Sequence, residues 1–144
     1  MRILIAVDDS KHSDAAIEFV KRMPWPERTQ CVVVSAVPEF VPVYTEVYVP
    51  AAPYSDQLMA DQFRSHQEVA ARAEKSLREA GVTTEAKVMA GDPRAVIVDL
   101  AKAENVDLVV MGSHGRTGLA KMLLGSVASY VVTHAPCNVM VVKL

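Results

Sequence analysis

Short apolar runs alternate along this chain with longer segments in which apolar residues recur every three or four positions. The runs are rich in β-branched residues and predict five strands, at residues 2–8, 31–37, 84–90, 106–112 and 138–144. Helical periodicity predicts four helices between them, near residues 11–23, 55–80, 93–104 and 124–134. The first, second and fourth strands are almost continuously apolar, as expected when helices cover both faces of a parallel sheet. The pattern therefore predicts an α/β fold, a three-layer sandwich with a five-stranded parallel sheet flanked by four helices.

Local signals support the helix boundaries. Asp92 is a predicted N-cap and Pro93 occupies a first helical position, where a missing N–H does no harm. Gly81 is predicted to end the helix before it. That helix carries an apolar stripe expected to face the core, formed by Leu58, Met59, Phe63, Ala70, Ala73 and Leu77.

The connection at 38–54 is too long for a minimal fold. It carries four of the eight prolines and three of the four tyrosines, and it follows the end of the second strand. Connections of this length are often functional. We interpret it as an irregular flap over the sheet, with a lid over a ligand or a surface for a partner as the alternatives.

Composition limits the class of protein. A chain of 144 residues with 51% apolar and 22% charged residues predicts one globular domain, 1–144. No apolar run reaches the ~20 residues of a membrane span, and Asp8 interrupts the first apolar run without a cleavage site after it. Cys31 and Cys137 lack metal-ligand spacing, so we expect reduced thiols, no metal site and a cytoplasmic protein without membrane partners.

Charge is unevenly distributed. The net charge of −2 argues against a nucleic-acid partner. Residues 108–144 hold no carboxylate and three cations (Arg116, Lys121 and Lys143), whereas the remaining residues hold 12 basic and 17 acidic groups, a net −5. A carboxylate-free segment suits an anionic ligand. Apolar strands and tight loops would equally leave little room for acids.

Four of the six glycines lie within Gly112–Ser126, between the fourth strand and the fourth helix. Parallel sheets bind ligands at this edge, and the first N–H groups of a helix attract phosphate. Gly112 and Gly115 are predicted to let the loop turn and let its N–H groups approach phosphate oxygens. Ser126 can cap the helix, and Arg116 or Lys121 can balance charge.

Other phosphate-binding loops are excluded by spacing. The chain holds no G-x-x-x-x-G-K-[ST] sequence. The turn after the first strand reads VDDSKHS and has no glycine, so neither a dinucleotide-binding fingerprint nor the pyrophosphatase loop of adenylating enzymes is present there.

The spacing Gly112-x2-Gly115-x9-Gly125-Ser126 resembles the ATP-binding signature of the universal stress protein family. The resemblance extends over the chain, through ILIAVDDS, GDPRAVIVDLAKAENVDLVVMGSHGRTGL and HAPCNVMVV. It implies an adenine nucleotide alpha hydrolase-like sandwich that binds ATP, with Mg²⁺, as a homodimer. Asp9 and Asn138 depart from the family pattern, in which glycine and proline are common at these positions.

The resemblance also implies roles for single residues. Ala6, Val7 and Asp8 would line the adenosine, with Asp8 accepting from ribose hydroxyls. The backbone of Val37 would meet the adenine edge. The nucleoside would be flanked by Met111 and Gly112, and the phosphates would lie near Gly115, Arg116, Gly125, Ser126 and Val127.

Two functional classes fit these residues. The first is a nucleotide-dependent regulatory module of the stress response. The alternative is a slow Mg-dependent ATPase or phosphotransferase that uses the same loop. No catalytic residue is assigned, because the four histidines are scattered and only His114 lies in the loop. A third hypothesis is that the glycine loop folds tightly and binds no ligand.

The last strand indicates a protein partner. Its residues Val139, Met140, Val141 and Val142 are too apolar for an unprotected sheet edge. Pairing with the same strand of a second copy would cover this edge in a closed homodimer.

Overall fold

The computed structural model describes residues 1–38, 54–115 and 124–144. Its elements are β1 (Arg2–Ala6), α1 (Lys11–Arg22), β2 (Gln30–Val37), α2 (Tyr54–Glu79), β3 (Thr83–Ala90), α3 (Pro93–Ala103), β4 (Leu108–Gly112), α4 (Ser126–His134) and β5 (Asn138–Val142). All nine predicted elements are confirmed, with ends that shift by at most two residues. The connection at 38–54, apart from its two end residues, and the loop residues 116–123 lie outside the described part.

The five strands form one parallel sheet in the order β3-β2-β1-β4-β5. Ile5 of β1 lies opposite Val33 of β2 and Val110 of β4, and all three side chains are fully buried. The three strands that read as most apolar are therefore the three central ones.

Helices cover both faces of the sheet and give it two separate apolar layers. On one face, Ile3, Ile5, Val33 and Val110 pack with residues of α1 and α2 such as Val20 and Leu77. On the other face, Leu4, Val32, Val109 and Met111 pack with residues of α3 and α4 such as Leu100 and Val131. The predicted three-layer sandwich is confirmed.

Helix α2 differs from its predicted packing over its first half. Ala70, Ala73 and Leu77 are buried, but Leu58 and Phe63 are 46% and 37% exposed. A helix of 26 residues spans about 39 Å and a strand of eight residues about 26 Å, so its first turns extend beyond the sheet.

The end of α2 follows the prediction. Gly81 has a φ of +86°, which favours glycine. Its N–H donates to the Arg78 carbonyl, and the Val82 N–H donates to the Leu77 carbonyl. These two bonds form a Schellman motif, which satisfies the last carbonyls of the helix.

A group of charged side chains closes the amino end of the sheet. The Arg2 guanidinium contacts Glu85 and Glu104, and Lys87 contacts the same two carboxylates. Lys87 and Arg2 hold the pKa of Glu104 below its usual range. The Arg2 N–H donates to Asp107 at 2.7 Å. The two cations neutralise the carboxylates of Glu85 and Glu104.

Both cysteines carry free thiols, as predicted. Burial raises the pKa of Cys31 to about 12 and also raises the pKa of Cys137, so neither thiol is activated. Within the described ranges, none of the helices combines the length and the apolar character that a membrane span needs.

Candidate functional site

A cavity of about 420 Å³ lies at the carboxyl ends of the central strands, between them and the starts of α3 and α4. Its volume is within the usual range for small-molecule sites. Nine of the eleven predicted site residues line it: Ala6, Val7, Asp8, Met111, Gly112, Gly115, Gly125, Ser126 and Val127. The structure thus brings together two chain segments that are about a hundred residues apart.

The other two predicted residues are not part of this lining. Val37 is fully buried, and its carbonyl accepts a hydrogen bond from the Gly91 N–H at 2.9 Å. Its neighbours Ala36 and Pro38 line the cavity instead. Arg116 lies outside the described residues, so its role stays a prediction.

Asp8 is held in place by the start of α1. Its Oδ1 accepts from the N–H and the hydroxyl of Ser10, and its own N–H donates to Ser13 Oγ at 3.1 Å. Ser10 in turn caps α1 by accepting from the Ser13 N–H at 3.2 Å. The other carboxylate oxygen lies beside Gly115, where a Cβ would be 2.9 Å from Asp8 Oδ2. Ser10 therefore holds Asp8 Oδ1, and Asp8 Oδ2 lies at the glycine loop.

The glycines of this region are required by close approach. A Cβ on Gly112 would lie 2.6 Å from the backbone carbonyl of His12, so this glycine lets α1 pack directly on β4. A Cβ on Gly125 would lie 3.3 Å from the Ser113 carbonyl oxygen. Among the described glycines, only Gly81 and Gly91 have a positive φ. Helix packing thus explains the glycine at position 112, and its predicted role towards phosphate stays a prediction.

Helix α4 begins without a capping side chain. Its N-cap is Gly125, with extended backbone angles of −68° and 161°, and Ser126 is the first helical residue. The prediction that Ser126 caps the helix is wrong by one position, because the Gly125 N–H donates to the Ser113 carbonyl at 2.8 Å and ends the loop there. Within the described ranges, no side chain caps the first turn of α4, and this turn faces the cavity. Helix starts of this kind attract anions.

Helix α3 begins at the same cavity but is capped. Asp92 accepts from the Arg94 N–H at 2.9 Å, as predicted, and Pro93 and Ile97 line the cavity wall. The Arg94 side chain, which hydrogen-bonds to Asp92, holds the pKa of that carboxyl below its usual range.

His66 of α2 is a cavity residue that the sequence reading missed. It is 8% exposed, and its Nδ1 lies 2.8 Å from Ser35 Oγ. Ser35 donates its only hydroxyl proton to the Val7 carbonyl, so His66 Nδ1 carries the hydrogen that it shares with Ser35. The available signal was its place on the apolar face of α2, between Phe63 and Ala70.

A second group of polar side chains lies where α1 meets the glycine loop. Ser113 Oγ is 3.2 Å from His12 Nδ1 and 3.1 Å from His114 Nδ1. The two imidazole rings are 5.1 Å apart, and His114 lines the cavity. We call these three residues the His12–Ser113–His114 group. It joins the first turn of α1 to the start of the loop.

A model of the universal stress protein family matches residues 1–143. The chain belongs to this family. Among its curated relatives, the universal stress protein Sll1388 of Synechocystis is 32% identical, in an alignment that covers 99% of this chain and 97% of that protein. The family resemblance stated from the glycine spacing is confirmed.

Solved structures agree with this assignment. The hypothetical protein MJ0577 of Methanocaldococcus jannaschii has a TM-score of 0.86 at 26% identity, covering 99% of this chain and 95% of its own. A universal stress protein family member from Arabidopsis thaliana, solved with AMP bound, has a TM-score of 0.67 at 20% identity, covering 99% and 91% of the two chains. This second likeness concerns the fold.

Proposed function

We propose that this universal stress protein binds ATP in the cavity and acts as a nucleotide-dependent regulatory module in the cytoplasm. The observation that carries the proposal is the uncapped start of α4, which faces a cavity that Asp8 also lines. A phosphate group at the start of α4 would accept from the N–H groups of its first turn. A carboxylate in the same cavity suits the hydroxyl groups of a sugar.

The residues that line the cavity suit the different parts of a nucleotide. Ala6, Val7 and Met111 would offer apolar contact to the nucleoside, and Asp8 Oδ2 would accept from ribose hydroxyls. The phosphates would lie towards the loop, near Gly115, Arg116, Gly125, Ser126 and Val127. Asp8 is the one carboxylate among the described cavity residues, so little negative charge repels the phosphates.

The choice of adenine is supported by the relatives. The Arabidopsis member of the family was solved with AMP, and the glycine spacing resembles the ATP-binding signature of the family. Mg²⁺ would accompany ATP through phosphate oxygens and water, which are the ligands it prefers.

Titration calorimetry of nucleotide-free protein with MgATP tests this proposal. Gly125→Val places a branched side chain at the start of α4 and should abolish binding. Gly81→Val is the matched control, because it strains a positive φ at the opposite end of the sheet and should leave the affinity unchanged. Absence of binding by the unaltered protein, or equal affinity in the Gly125 variant, would overturn the proposal.

We further propose that β5 pairs with β5 of a second copy. Val139, Met140, Val141 and Val142 are all partly exposed, and the strand carries no charge. The opposite edge of the sheet, β3, carries Glu85 and Lys87, which discourage pairing. The uncharged edge is therefore the one that a partner strand would cover.

Val141→Lys should convert dimers into monomers, because a charged side chain at the centre of the paired edge would be desolvated. Met89→Lys places the same charge on β3 and should leave the dimer intact. Sedimentation velocity distinguishes the species. A dimeric Val141 variant would contradict this interface.

A further inference from the structure

The His12–Ser113–His114 group lies beside the proposed phosphate position. A Cβ on Gly125 would be 3.3 Å from His114 Cα and 3.8 Å from Cδ2 of its ring, so the imidazole is next to the start of α4. Ser113 is 3% exposed, and its N–H donates to the Val142 carbonyl at 2.9 Å. The serine is therefore fixed by the sheet, and it fixes both rings.

The donors and acceptors of the three side chains allow this group to hold an added proton. The Ser113 hydroxyl has one hydrogen and two lone pairs, and it meets two Nδ1 atoms. In the neutral state it donates to one ring and accepts Nδ1–H from the other. When His12 is the ring that donates through Nδ1, it can add a proton at Nε2 and keep its bond to Ser113.

A second proton is unfavourable. It would have to occupy the Nδ1 that accepts from Ser113, which would leave the serine hydrogen without this acceptor. It would also place two positive rings 5.1 Å apart. The group is thus suited to carry one added charge.

We propose that the His12–Ser113–His114 group takes up one proton when phosphates bind and so sets the preference of the site for ligands with more phosphates. This inference rests on the proposed nucleotide function and concerns the selectivity of the same site. Bound phosphates favour the charged form of the nearby rings, and by linkage a lower pH favours the phosphate-rich ligand.

The surrounding charges are few. Among the described residues, the charged groups on the elements packed around this group are Asp8 and Asp9 before α1, Lys11 and Asp14 in its first turn, and Lys143 after β5. The carboxylates favour the added proton and the lysines oppose it.

Calorimetry with ATP and with adenosine, at about pH 6.5 and pH 8 and in buffers of different protonation enthalpy, measures the effect. The ligand phosphate itself titrates near pH 6, so the comparison is made against the double variant His12→Gln/His114→Gln. The unaltered protein should gain about tenfold in ATP affinity between the higher and the lower pH relative to the double variant. It should also take up close to one more proton, and adenosine affinity should not change.

His134→Gln is the matched control, because this histidine stacks on Tyr130 at the far end of α4. It should keep the pH dependence of the unaltered protein. An identical pH dependence in the double variant would overturn this inference alone, whereas no ATP binding at either pH would overturn the proposed function with it.

Ring NMR titration of the unaltered protein provides a readout that does not depend on the variants folding. The signals of His12 and His114 should titrate at higher pH with ATP than without it. Titration curves that ATP leaves unchanged would also overturn the inference.

Discussion

Helices α3 and α4 cover the same face of the sheet, and the first turns of both line the cavity, yet the two starts are completed differently. Asp92 caps α3 with its own carboxylate, and Arg94 neutralises that charge. Gly125 begins α4 and supplies no side chain. A helix start that is satisfied internally stabilises the fold, and one that is left open to a cavity can attract an anion.

The difference also separates stability from binding. The Asp92 cap should affect unfolding and leave ligand affinity unchanged. The open start of α4 should affect ligand affinity more than unfolding, because a cap placed there would compete with the ligand. Exchanging the two arrangements is therefore a direct test of what each one does.

The largest effect is expected from Gly125→Asp, which gives α4 the cap of α3. The backbone angles of Gly125 are already those of an N-cap, and a Cβ there needs a shift of only a few tenths of an ångström. The carboxylate would occupy and repel the phosphate position, so ATP affinity should fall by about two orders of magnitude.

Gly125→Asn is the control for this variant, since it adds a cap of the same shape without the charge. It should lose about tenfold in affinity, from competition alone. Calorimetry and thermal unfolding measure both variants. An Asp variant that binds ATP normally would contradict a phosphate position at α4.

A smaller effect is expected from Asp92→Ala, which opens the start of α3. Loss of an N-cap costs about 1 kcal/mol, or about 3 °C in melting temperature for a domain of this size. ATP affinity should stay within about twofold, because Pro93 lacks an N–H and α3 is not the proposed phosphate position. A large loss of affinity would show that α3 also holds the ligand.

The sequence could predict the α3 start and the location of the cavity, because both depend on local patterns. Asp92 and Pro93 are adjacent signals for a helix start, and the glycines cluster within 15 residues. Uncharged apolar runs are also local patterns, and they identified the three central strands.

Features that depend on distant contacts could not be predicted. The need for glycine at position 112 arises from His12, a residue of α1 a hundred positions earlier. The N-cap of α4 is Gly125 rather than Ser126, and the Gly125 N–H donates to the distant carbonyl of Ser113. His66 and the His12–Ser113–His114 group come together at the cavity only when α1, α2 and the loop pack against one another. The sequence around each histidine does not reveal these tertiary contacts.

The smallest effect is expected when the melting temperatures of the unaltered protein and Asp92→Ala are compared as the pH is lowered. Arg94 lowers the pKa of Asp92 in the folded protein below the ordinary 3.8. A lowered carboxyl pKa stabilises the fold above the unfolded value, and this stabilisation is lost as pH falls through the folded pKa. The melting temperatures of the unaltered protein and Asp92→Ala should therefore differ by a constant amount above about pH 5 and converge below pH 3.8.

The titration of Glu104, which is also lowered, is the same in both proteins and cancels from the difference. Arg94→Gln tests the cause, because without the guanidinium the convergence should begin at higher pH while the backbone cap remains. If the gap between the unaltered protein and Asp92→Ala stayed constant down to about pH 2, the carboxylate charge would contribute nothing at α3. The contrast between α3 and α4 would then rest on hydrogen bonding alone.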